Sequence, residues 1–389
     1  MKADVAIIGA GPAGLLLGHT LRQAGVDVVI VERHSAAHVR ARIRAGVLET
    51  VTTDLLARLG LADRLQAEGL AHEGLLLADG DRLIRIDLAE LTGRHVTVYG
   101  QTEVTADLID AAPGRGLPIV WNAESVTLHD IESQTPSLRF RLAGVEQRLD
   151  ARFLVGCDGF HGPARAAMPA AIGRTYERVY PFGWLGILAD VAPCSDELIY
   201  ANHPNGFALA SMRSRTRSRY YIQAPLDEVV ENWSDERLWD EIVVRLGPEA
   251  GARVVRGPAL EKSVAPLRSF VFEPMAHGSL FLAGDAAHIV PPTGAKGLNL
   301  AASDVWYLSD ALIGWFKRAD AAGLATYSDR ALARVWKAER FSWALTNLMH
   351  RFPDHTPFER RMQLAELDYI ASSRAARTSI AENYVGLPL

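Results

Sequence analysis

Three glycines near the start of the chain and one acidic residue after them have the spacing of a diphosphate-binding site. Gly9, Gly11 and Gly14 lie in a segment that also contains Ala13, and Glu32 comes 18 residues after Gly14. Glycines there permit a tight turn, close approach of a pyrophosphate to the backbone and close helix packing, while the acid can bind a ribose hydroxyl. The motif predicts a dinucleotide site without distinguishing FAD from NAD. The alternative is a glycine-rich turn that only packs.

The flanking residues predict the strand–helix–strand unit that such a site needs. Residues 5–8 and 28–31 are continuous apolar runs, typical of strands covered on both faces. The helix between them is predicted to end near Ala24, because Gly25 stops it. Two strands joined by such a helix pair in parallel, so the start of the chain is predicted to be Rossmann-like.

Further along the chain, the pattern changes twice. Residues 118–156 alternate between apolar and polar, and residues 175–270 contain several strand-like runs with a helical stretch near residues 235–246. Beyond Gly297 the chain is mostly helical. We therefore predict an α/β fold with a dinucleotide-binding domain at 1–174 completed by 268–300, a sheet-based substrate domain at 175–267, and a helical C-terminal region at 301–389.

Composition excludes several classes of function. The net charge of -5 over 389 residues argues against a general nucleic-acid binder. Two cysteines, Cys157 and Cys194, fit a reducing compartment, and the N-terminus lacks a signal peptide, so we expect a cytoplasmic protein without membrane contact. The twelve histidines show no metal-site spacing, so we expect no metal.

One strand in the second domain has the residue types for binding a carboxylate. Ser211 and Arg213 are two apart and share a face, and Tyr221 has the same parity on the strand after a turn rich in Arg, Ser and Thr. A guanidinium fork with two hydroxyls suits a buried aromatic acid. The alternative is a solvated basic hairpin containing Arg213, Arg215, Arg217 and Arg219.

Two more motifs make the chain resemble a known family. Residues 284–288 read Gly-Asp-Ala-Ala-His after a buried strand, residues 291–299 then open a helix, and an Asp-Gly pair stands at Asp158 between the two nucleotide-binding segments. In this order they resemble the class A flavoprotein monooxygenases, which implies FAD and a glutathione-reductase-type FAD domain. Residues 42–47, 98–101, 200–204 and 381–388 resemble the members that hydroxylate 4-hydroxybenzoate, so the resemblance spans the chain.

The resemblance assigns residues to the two cofactors. Those implied for FAD are Gly9, Gly11, Ala13, Gly14, Glu32, Arg42, Arg44, Ala45, Gly46, Val47, Gln101, Asp158, Asp285, Leu298 and Asn299. No second glycine fingerprint exists for a nicotinamide, and the positions implied near its phosphates are Arg33, His34, His38, Arg44, His161 and Arg268. The basic, acid-free run at 33–40 favours the 2′-phosphate of NADPH, with NADH also possible.

The resemblance also implies a mechanism. Tyr200 and Tyr384 are expected to form a hydrogen-bonded pair that accepts the substrate phenol proton and relays it toward His72, because ionisation raises electron density at the carbon ortho to the oxygen. Pro292 and Thr293 are expected to line the site and exclude water. Without the resemblance, each tyrosine is an ordinary core residue.

Our hypothesis is hydroxylation of 4-hydroxybenzoate at C3, giving 3,4-dihydroxybenzoate, with NADPH and O2 by way of a flavin C4a-hydroperoxide. Such an enzyme would serve aromatic hydrocarbon catabolism. The alternatives are the same chemistry on 3-hydroxybenzoate or 3,4-dihydroxybenzoate, or a flavin-binding redox sensor without turnover. The helical C-terminal third, with its Trp and Phe content, is expected to form a homodimer interface.

Overall fold

The computed structural model describes residues 1–42 and 46–389. Its first 156 residues contain, in chain order, β1 (Val5–Ile8), α1 (Pro12–Gln23), β2 (Val28–Val31), α2 (Ala36–Arg40), β3 (Val47–Leu48), α3 (Thr50–Arg58), α4 (Asp63–Glu68), β4 (Leu70–His72), β5 (Gly74–Asp79), β6 (Arg82–Asp87), α5 (Leu88–Thr92), β7 (Val96–Val98), α6 (Gln101–Gly114), β8 (Ile119–Val120), β9 (Glu124–His129), β10 (Ser137–Leu142), β11 (Val145–Asp150) and β12 (Phe153–Gly156).

The remainder of the chain adds the long strands and the C-terminal helices. These are α7 (Pro163–Ala166), β13 (Arg174–Ala189), β14 (Leu198–Asn202), β15 (Ala208–Ser214), β16 (Arg217–Ala224), α8 (Asp235–Gly251), β17 (Glu261–Glu273), β18 (Ala276–His277), β19 (Leu280–Leu282), β20 (His288–Ile289), α9 (Gly297–Arg318), α10 (Ala322–Met349), α11 (Pro357–Ser372) and α12 (Arg374–Val385). Single turns of 3₁₀ helix occupy Val230–Asn232, Gly284–Ala286 and Pro292–Gly294.

A six-stranded sheet forms the predicted Rossmann-like unit. Its order is β18-β19-β12-β1-β2-β8, and all neighbours except β18 and β19 pair in parallel. The strands β1, β2, β12 and β19 are buried along their whole length, as expected where helices such as α1 and α9 cover both faces. The predicted strand–helix–strand start is confirmed, and α1 begins with Pro12 in its first turn, where a proline costs no hydrogen bond.

An eight-stranded sheet of order β20-β17-β13-β16-β15-β14-β5-β6 forms the second unit. The hairpin of β5 and β6 extends it, although these residues precede the division at 174 and 175 that the sequence suggested, because β5 pairs in parallel with β14. Helix α8 covers one face through Trp239, Ile242 and Leu246. The C-terminal helices cover the other face, which carries the residues discussed below.

The remaining strands form two small sheets. Strands β9, β10 and β11 make an antiparallel meander, and β3, β7 and β4 make a short sheet that holds His72 opposite Val96. Within residues 1–42 and 46–389, we find no helix with both the length and the apolar character needed to cross a bilayer.

Candidate active site

The glycine-rich loop lies at the carboxyl ends of β1, β2 and β12. Gly9 has a φ of 102°, and a Cβ there would stand 2.3 Å from the carbonyl oxygen of Cys157. A Cβ on Gly14 would stand 2.0 Å from the carbonyl oxygen of Gly9. By contrast, no atom of the described residues comes within 4 Å of a Cβ built on Gly11. Two glycines are therefore needed for packing, and the third leaves the backbone open to a ligand.

Glu32 is fixed against this loop. One carboxylate oxygen accepts the backbone N–H of Ala10 at 2.7 Å, and the other accepts the backbone N–H of His34 at 2.9 Å. The side chain is buried at the end of β2. Its position beside the loop suits a ribose hydroxyl of a bound dinucleotide.

Two further carboxylates lie on neighbouring strand ends of the same sheet. Asp158 follows β12, and its Oδ2 accepts the N–H of Ala164 at 2.8 Å, whereas its buried Oδ1 has no hydrogen-bond partner among the described residues. Burial raises the pKa of Asp158 to about 6. Asp285 is exposed in the turn after β19. That turn is held by Asp304, which accepts the N–H of Gly284 at 2.8 Å.

The start of α9 lies against β3 and the start of α3. The side chain of Asn299 donates to the carbonyls of Val47 and Ala295, each at 2.9 Å, and accepts the N–H of Glu49 at 2.8 Å. Asn299 therefore uses its side chain to hold the helix start, and only its backbone is left for a cofactor. The N–H groups of a first helical turn, here including Leu298, lack partners within the helix and favour an anionic group.

Gly46, the residue before β3, lies against the segment between β7 and α6. A Cβ on Gly46 would stand 2.0 Å from the carbonyl oxygen of Tyr99 and 2.7 Å from the nitrogen of Gln101, so these residues are in contact. Arg42 is exposed. Arg44 and Ala45, both expected at FAD, lie outside the described residues.

Together these residues fit an FAD. The open backbone at Gly11, the fixed carboxylate of Glu32 and the unsatisfied buried oxygen of Asp158 offer partners for a diphosphate and for hydroxyl groups. The start of α9 offers backbone donors to an electron-rich ring. Within the described residues, no group of three or more His, Cys, Asp or Glu side chains is placed to hold a metal ion.

The candidate substrate face lies on β15 and β16. Tyr200 pairs with Leu209, which pairs with Tyr221, and Ser211 pairs with Arg219, so these side chains share one face. The register shifts between Met212 and Ser214, which places Arg213 at a bulge. Bulges commonly re-aim a side chain beside an active site.

Arg213 is partly buried next to Tyr221. The residue keeps part of its surface accessible, yet burial of its guanidinium lowers its pKa, with Tyr221 opposing that effect through charge and a hydrogen bond. The hydroxyl of Ser211 is buried and makes only a long contact of 3.4 Å to the carbonyl of Met212. The guanidinium of Arg213 and the hydroxyl of Ser211 can therefore each form a hydrogen bond with a bound ligand.

From the sequence, the burial of Arg219 was not predicted, because this residue was grouped with the solvated hairpin. It is only 5% exposed, lies over the ring of Tyr221 at 5.1 Å and donates to Glu261 at 3.2 Å. Its Nε and Nη1 atoms have no hydrogen-bond partner in the described part of the chain. Strand parity gave the missed signal, because Arg219 stands two residues before Tyr221. In contrast, Arg215 and Arg217 are exposed, as expected.

The hydroxyls of Tyr200 and Tyr384 lie 2.8 Å apart, although 184 residues separate them. Both side chains are about 1% exposed. Burial raises the pKa of Tyr200 to about 12, an effect that the hydrogen bond from Tyr384 opposes. Burial and the neighbouring Tyr200 raise the pKa of Tyr384 well above its ordinary value. Both phenols are therefore neutral at physiological pH and can pass a proton between them.

His72 is buried but is not joined to this pair. Neither ring nitrogen has a hydrogen-bond partner among the described residues. Burial lowers the pKa of the imidazole, and the charges of Glu197 and Asp196 oppose that shift. A relay from the tyrosines to His72 therefore requires an intervening carrier such as water.

An aromatic wall that the sequence did not reveal surrounds the pair. Trp184 stacks on Phe207 at 5.0 Å and donates its indole N–H to His350 at 2.8 Å. Burial lowers the pKa of His350 to about 3, so it accepts that bond as a neutral ring. No local motif marks these residues, because each comes from a different element.

Pro292 and Thr293 begin the turn before α9. Pro292 is exposed, whereas Thr293 is fully buried and its hydroxyl accepts a hydrogen bond from Thr346 at 2.9 Å. The turn is thereby attached to α10. The turn just before α9 thus has an exposed proline next to a buried, hydrogen-bonded threonine.

The residues expected near a nicotinamide form two groups. His34 and His38 stack at 4.1 Å, and Arg33 donates to His34 at 3.0 Å. Separately, His161 and Arg268 both contact Phe160, whose ring centre lies 4.3 Å from the Arg268 guanidinium. Arg268 also pairs with Glu177 at 3.2 Å.

Comparisons with known proteins show the family to which the chain belongs. Residues 2–342 match a family model described as an FAD binding domain. A p-hydroxybenzoate hydroxylase of Acinetobacter baylyi is 55% identical over 100% of this chain and 96% of its own length. A rifampicin monooxygenase of Rhodococcus hoagii is 28% identical over 80% of this chain and 65% of its own. The solved structure of a p-nitrophenol 4-monooxygenase from Pseudomonas putida covers 100% of both chains with a TM-score of 0.81 at 21% identity, which shows a shared fold. The chain therefore belongs to the FAD-binding family of flavoprotein aromatic hydroxylases.

Proposed function

We propose that this protein hydroxylates 4-hydroxybenzoate at C3. The reaction consumes 4-hydroxybenzoate, NADPH, a proton and O2, and it yields 3,4-dihydroxybenzoate, NADP⁺ and water. The observation that carries the proposal is the buried pair of hydroxyls on Tyr200 and Tyr384, on the sheet face that also presents Ser211, Arg213 and Tyr221. The 55% identical hydroxylase of A. baylyi supports the same substrate.

The carboxylate of the substrate would bind at Arg213. Its guanidinium can form a paired, charge-assisted contact, while Ser211 and Tyr221 supply hydroxyl donors. A buried aromatic acid needs this neutralisation, because an unpaired anion away from water costs several kcal/mol. Arg219 adds positive potential beside the same ring of Tyr221.

The phenol would lose its proton to the tyrosine pair. Tyr200 is placed to accept that proton as its own passes to Tyr384, so neither tyrosine needs to carry a full charge. His72, with its pKa lowered by burial, is a neutral acceptor beyond them. The resulting phenolate has raised electron density at the ortho carbon, where hydroxylation occurs.

Bound FAD would supply the redox chemistry, namely acceptance of a hydride from NADPH and activation of O2, from which one oxygen atom passes to the substrate and the other to water. We assign its binding to Gly9, Gly11, Ala13, Gly14, Glu32, Arg42, Arg44, Ala45, Gly46, Val47, Gln101, Asp158, Asp285, Leu298 and Asn299. Pro292 and Thr293, attached to α10 through Thr346, would exclude water at the reacting end. We assign the NADPH phosphates to Arg33, His34, His38, Arg44, His161 and Arg268, with NADH possible.

The test is turnover by the purified FAD-loaded protein. With 4-hydroxybenzoate, NADPH and O2, we expect one 3,4-dihydroxybenzoate for each NADPH consumed. Stimulated NADPH oxidation that yields only hydrogen peroxide would instead indicate another phenolic acid, and 3-hydroxybenzoate and 3,4-dihydroxybenzoate are the compounds to try. No stimulation by any of the three would favour the redox sensor.

We further propose that the protein is a cytoplasmic homodimer. Trp336 and Trp343 on α10, and Phe358, Met362 and Tyr369 on α11, are at least 40% exposed at spacings that place each set on one helix face. Free thiols at Cys157 and Cys194 fit a reducing compartment. Sedimentation of the wild type against Phe358→Asp would test the dimer.

We keep the division into an FAD part at 1–174 with 268–300, a substrate part at 175–267 and a helical part at 301–389, with β5 and β6 added to the substrate sheet.

A further inference from the structure

Cationic side chains donate hydrogen bonds to the backbone at the end of α12 and in residues 386–389, which we call the tail. Four carbonyl oxygens accept hydrogen bonds from three cations: Tyr384 from Lys296 at 3.0 Å, Gly386 from Arg94 at 2.9 Å, Pro388 from Arg334 at 3.1 Å, and Leu387 also from Arg334. Chain ends usually fray unless they are tied down. These three cations come from three separate elements, so the tail is fixed from several sides.

Glu49 joins two of these cations beneath the tail. Its Oε1 accepts from Lys296 at 2.6 Å and its Oε2 accepts from Arg334 at 3.1 Å. Glu49 is 3% exposed. Gly386 has a φ of 96°, and a Cβ there would stand 2.1 Å from Oε2 of Glu49. The backbone therefore lies directly on the buried carboxylate, and a side chain at this position would force them apart.

The charges explain why these cations donate to the carbonyl oxygens of the backbone. One buried carboxylate faces the two buried cations, Lys296 and Arg334, so their remaining N–H groups need neutral acceptors. The carbonyl dipoles of the tail provide them, because a buried donor left without a partner costs about 1–3 kcal/mol. The tail and the cluster of Glu49, Lys296 and Arg334 thus stabilise each other.

We propose that Arg94 and Arg334 are positioning residues that set the hydroxyl of Tyr384 against Tyr200. Tyr384 lies in the last turn of α12, between the helix and the gripped tail, and its own carbonyl is one of the four held. Movement of the tail displaces the 2.8 Å contact between the two hydroxyls. This inference rests on the proposed function, in which that contact carries the phenol proton.

The experiment compares Arg94→Met and Arg334→Met, alone and combined with Tyr384→Phe. The matched control is Arg374→Met, because Arg374 on α12 pairs with Glu90 on α5 at 3.2 Å and both side chains are more than 60% exposed. In the described part of the chain, neither side chain has a hydrogen bond to residues 386–389. The FAD-loaded variants are titrated with 4-hydroxybenzoate, and the phenolate fraction of the bound ligand is read from its absorbance between pH 6 and 9. Binding of benzoate, which lacks the phenol, reports the carboxylate site separately.

We expect Arg94→Met and Arg334→Met to lower kcat by roughly 10- to 100-fold and to reduce the bound phenolate, since small displacements of a reacting group have such effects. Benzoate affinity should change less than about twofold, and each double variant should match Tyr384→Phe within about twofold, because the tail then has no hydroxyl to position. Arg374→Met should match the wild type.

Wild-type ionisation in both single variants, or losses that multiply with Tyr384→Phe, would overturn the inference. If Arg334→Met does not fold, Arg94→Met decides, because Arg94 is half-buried and does not contact Glu49. If the wild type itself does not ionise bound 4-hydroxybenzoate, the proposed function is refuted, and not only the inference about the tail.

Discussion

Replacing Arg213 by glutamine tests how the site recognises an acid. Glutamine keeps a polar side chain, although a shorter one, and removes the positive charge of the guanidinium. We expect the affinity for 4-hydroxybenzoate to fall while FAD remains bound, because Arg213 lies on the substrate sheet and not at the glycine-rich loop.

The structure sets the size of the effect. Removing one partner of a buried charge pair costs about 2–5 kcal/mol. Arg219 remains nearby, with two nitrogen atoms, Nε and Nη1, that have no partner among the described residues, and with the carboxylate of Glu261 at 3.2 Å. It can compensate in part, so we place the loss in the lower half of that range, at about 2–3 kcal/mol. At about 1.4 kcal/mol for each factor of ten, the dissociation constant should rise roughly 30- to 150-fold.

The assay is a titration followed through the flavin absorbance. Arg215→Gln is the matched control, because Arg215 is exposed on the same hairpin. A second comparison uses 4-hydroxybenzamide, which is neutral and retains the phenol. Its affinity should be nearly equal in the wild type and in Arg213→Gln. An acid affinity within twofold of the wild type, or an equal loss for the amide, would refute the assignment of Arg213 as the carboxylate anchor.

Three other substitutions test the proton path and the cofactor site. Tyr384→Phe should abolish ionisation of the bound phenol and lower kcat by about 100-fold with FAD retained, because Tyr200 loses its buried partner; normal phenolate absorbance would contradict the relay. Glu197→Gln should move the acid limb of kcat against pH to lower pH, because the charge of Glu197 raises the pKa of His72 and its loss lets burial lower that pKa further; an upward shift would be inconsistent with this. Burial raises the pKa of Asp158 to about 6, and the ionised carboxylate is a stronger acceptor for a hydroxyl than its protonated form, so wild-type FAD affinity should weaken as pH falls through 6 and Asp158→Asn should lack that step when flavin fluorescence is followed.

The cofactor half of the fold was predictable because its signals are local. The apolar runs at 5–8 and 28–31, with glycines between them, lie within one strand–helix–strand unit, and the structure has strands at those same residues. Parallel strands buried on both faces must be apolar throughout, so the sequence carries the pattern without interruption. Glycines are likewise specified by backbone contacts only a few residues away.

The substrate half depends on long-range packing that leaves no local pattern. The hairpin of β5 and β6 joins β14 across more than a hundred residues, and its alternation alone does not name that partner. Arg219 has the same residue type as its exposed neighbours; its parity with Tyr221 hints at a shared face, and the register opposite Ser211 confirms that face. The contact between Tyr200 and Tyr384 was expected from family resemblance alone, since neither residue has a distinctive neighbourhood.

The burial of this site also explains why a substrate phenol can ionise where the tyrosines do not. Burial raises the pKa values of Tyr200 and Tyr384, so neither keeps a negative charge near neutral pH. A substrate acid bound as we propose would lie among cations, because Arg213 and Arg219 flank Tyr221, and Lys296 lies 5.7 Å from the ring centre of Tyr384. Their positive potential favours the charged form of any group that replaces water there. In the proposed reaction the two tyrosines therefore pass the proton on while remaining neutral, and the nearby cations stabilise the anion that remains on the substrate.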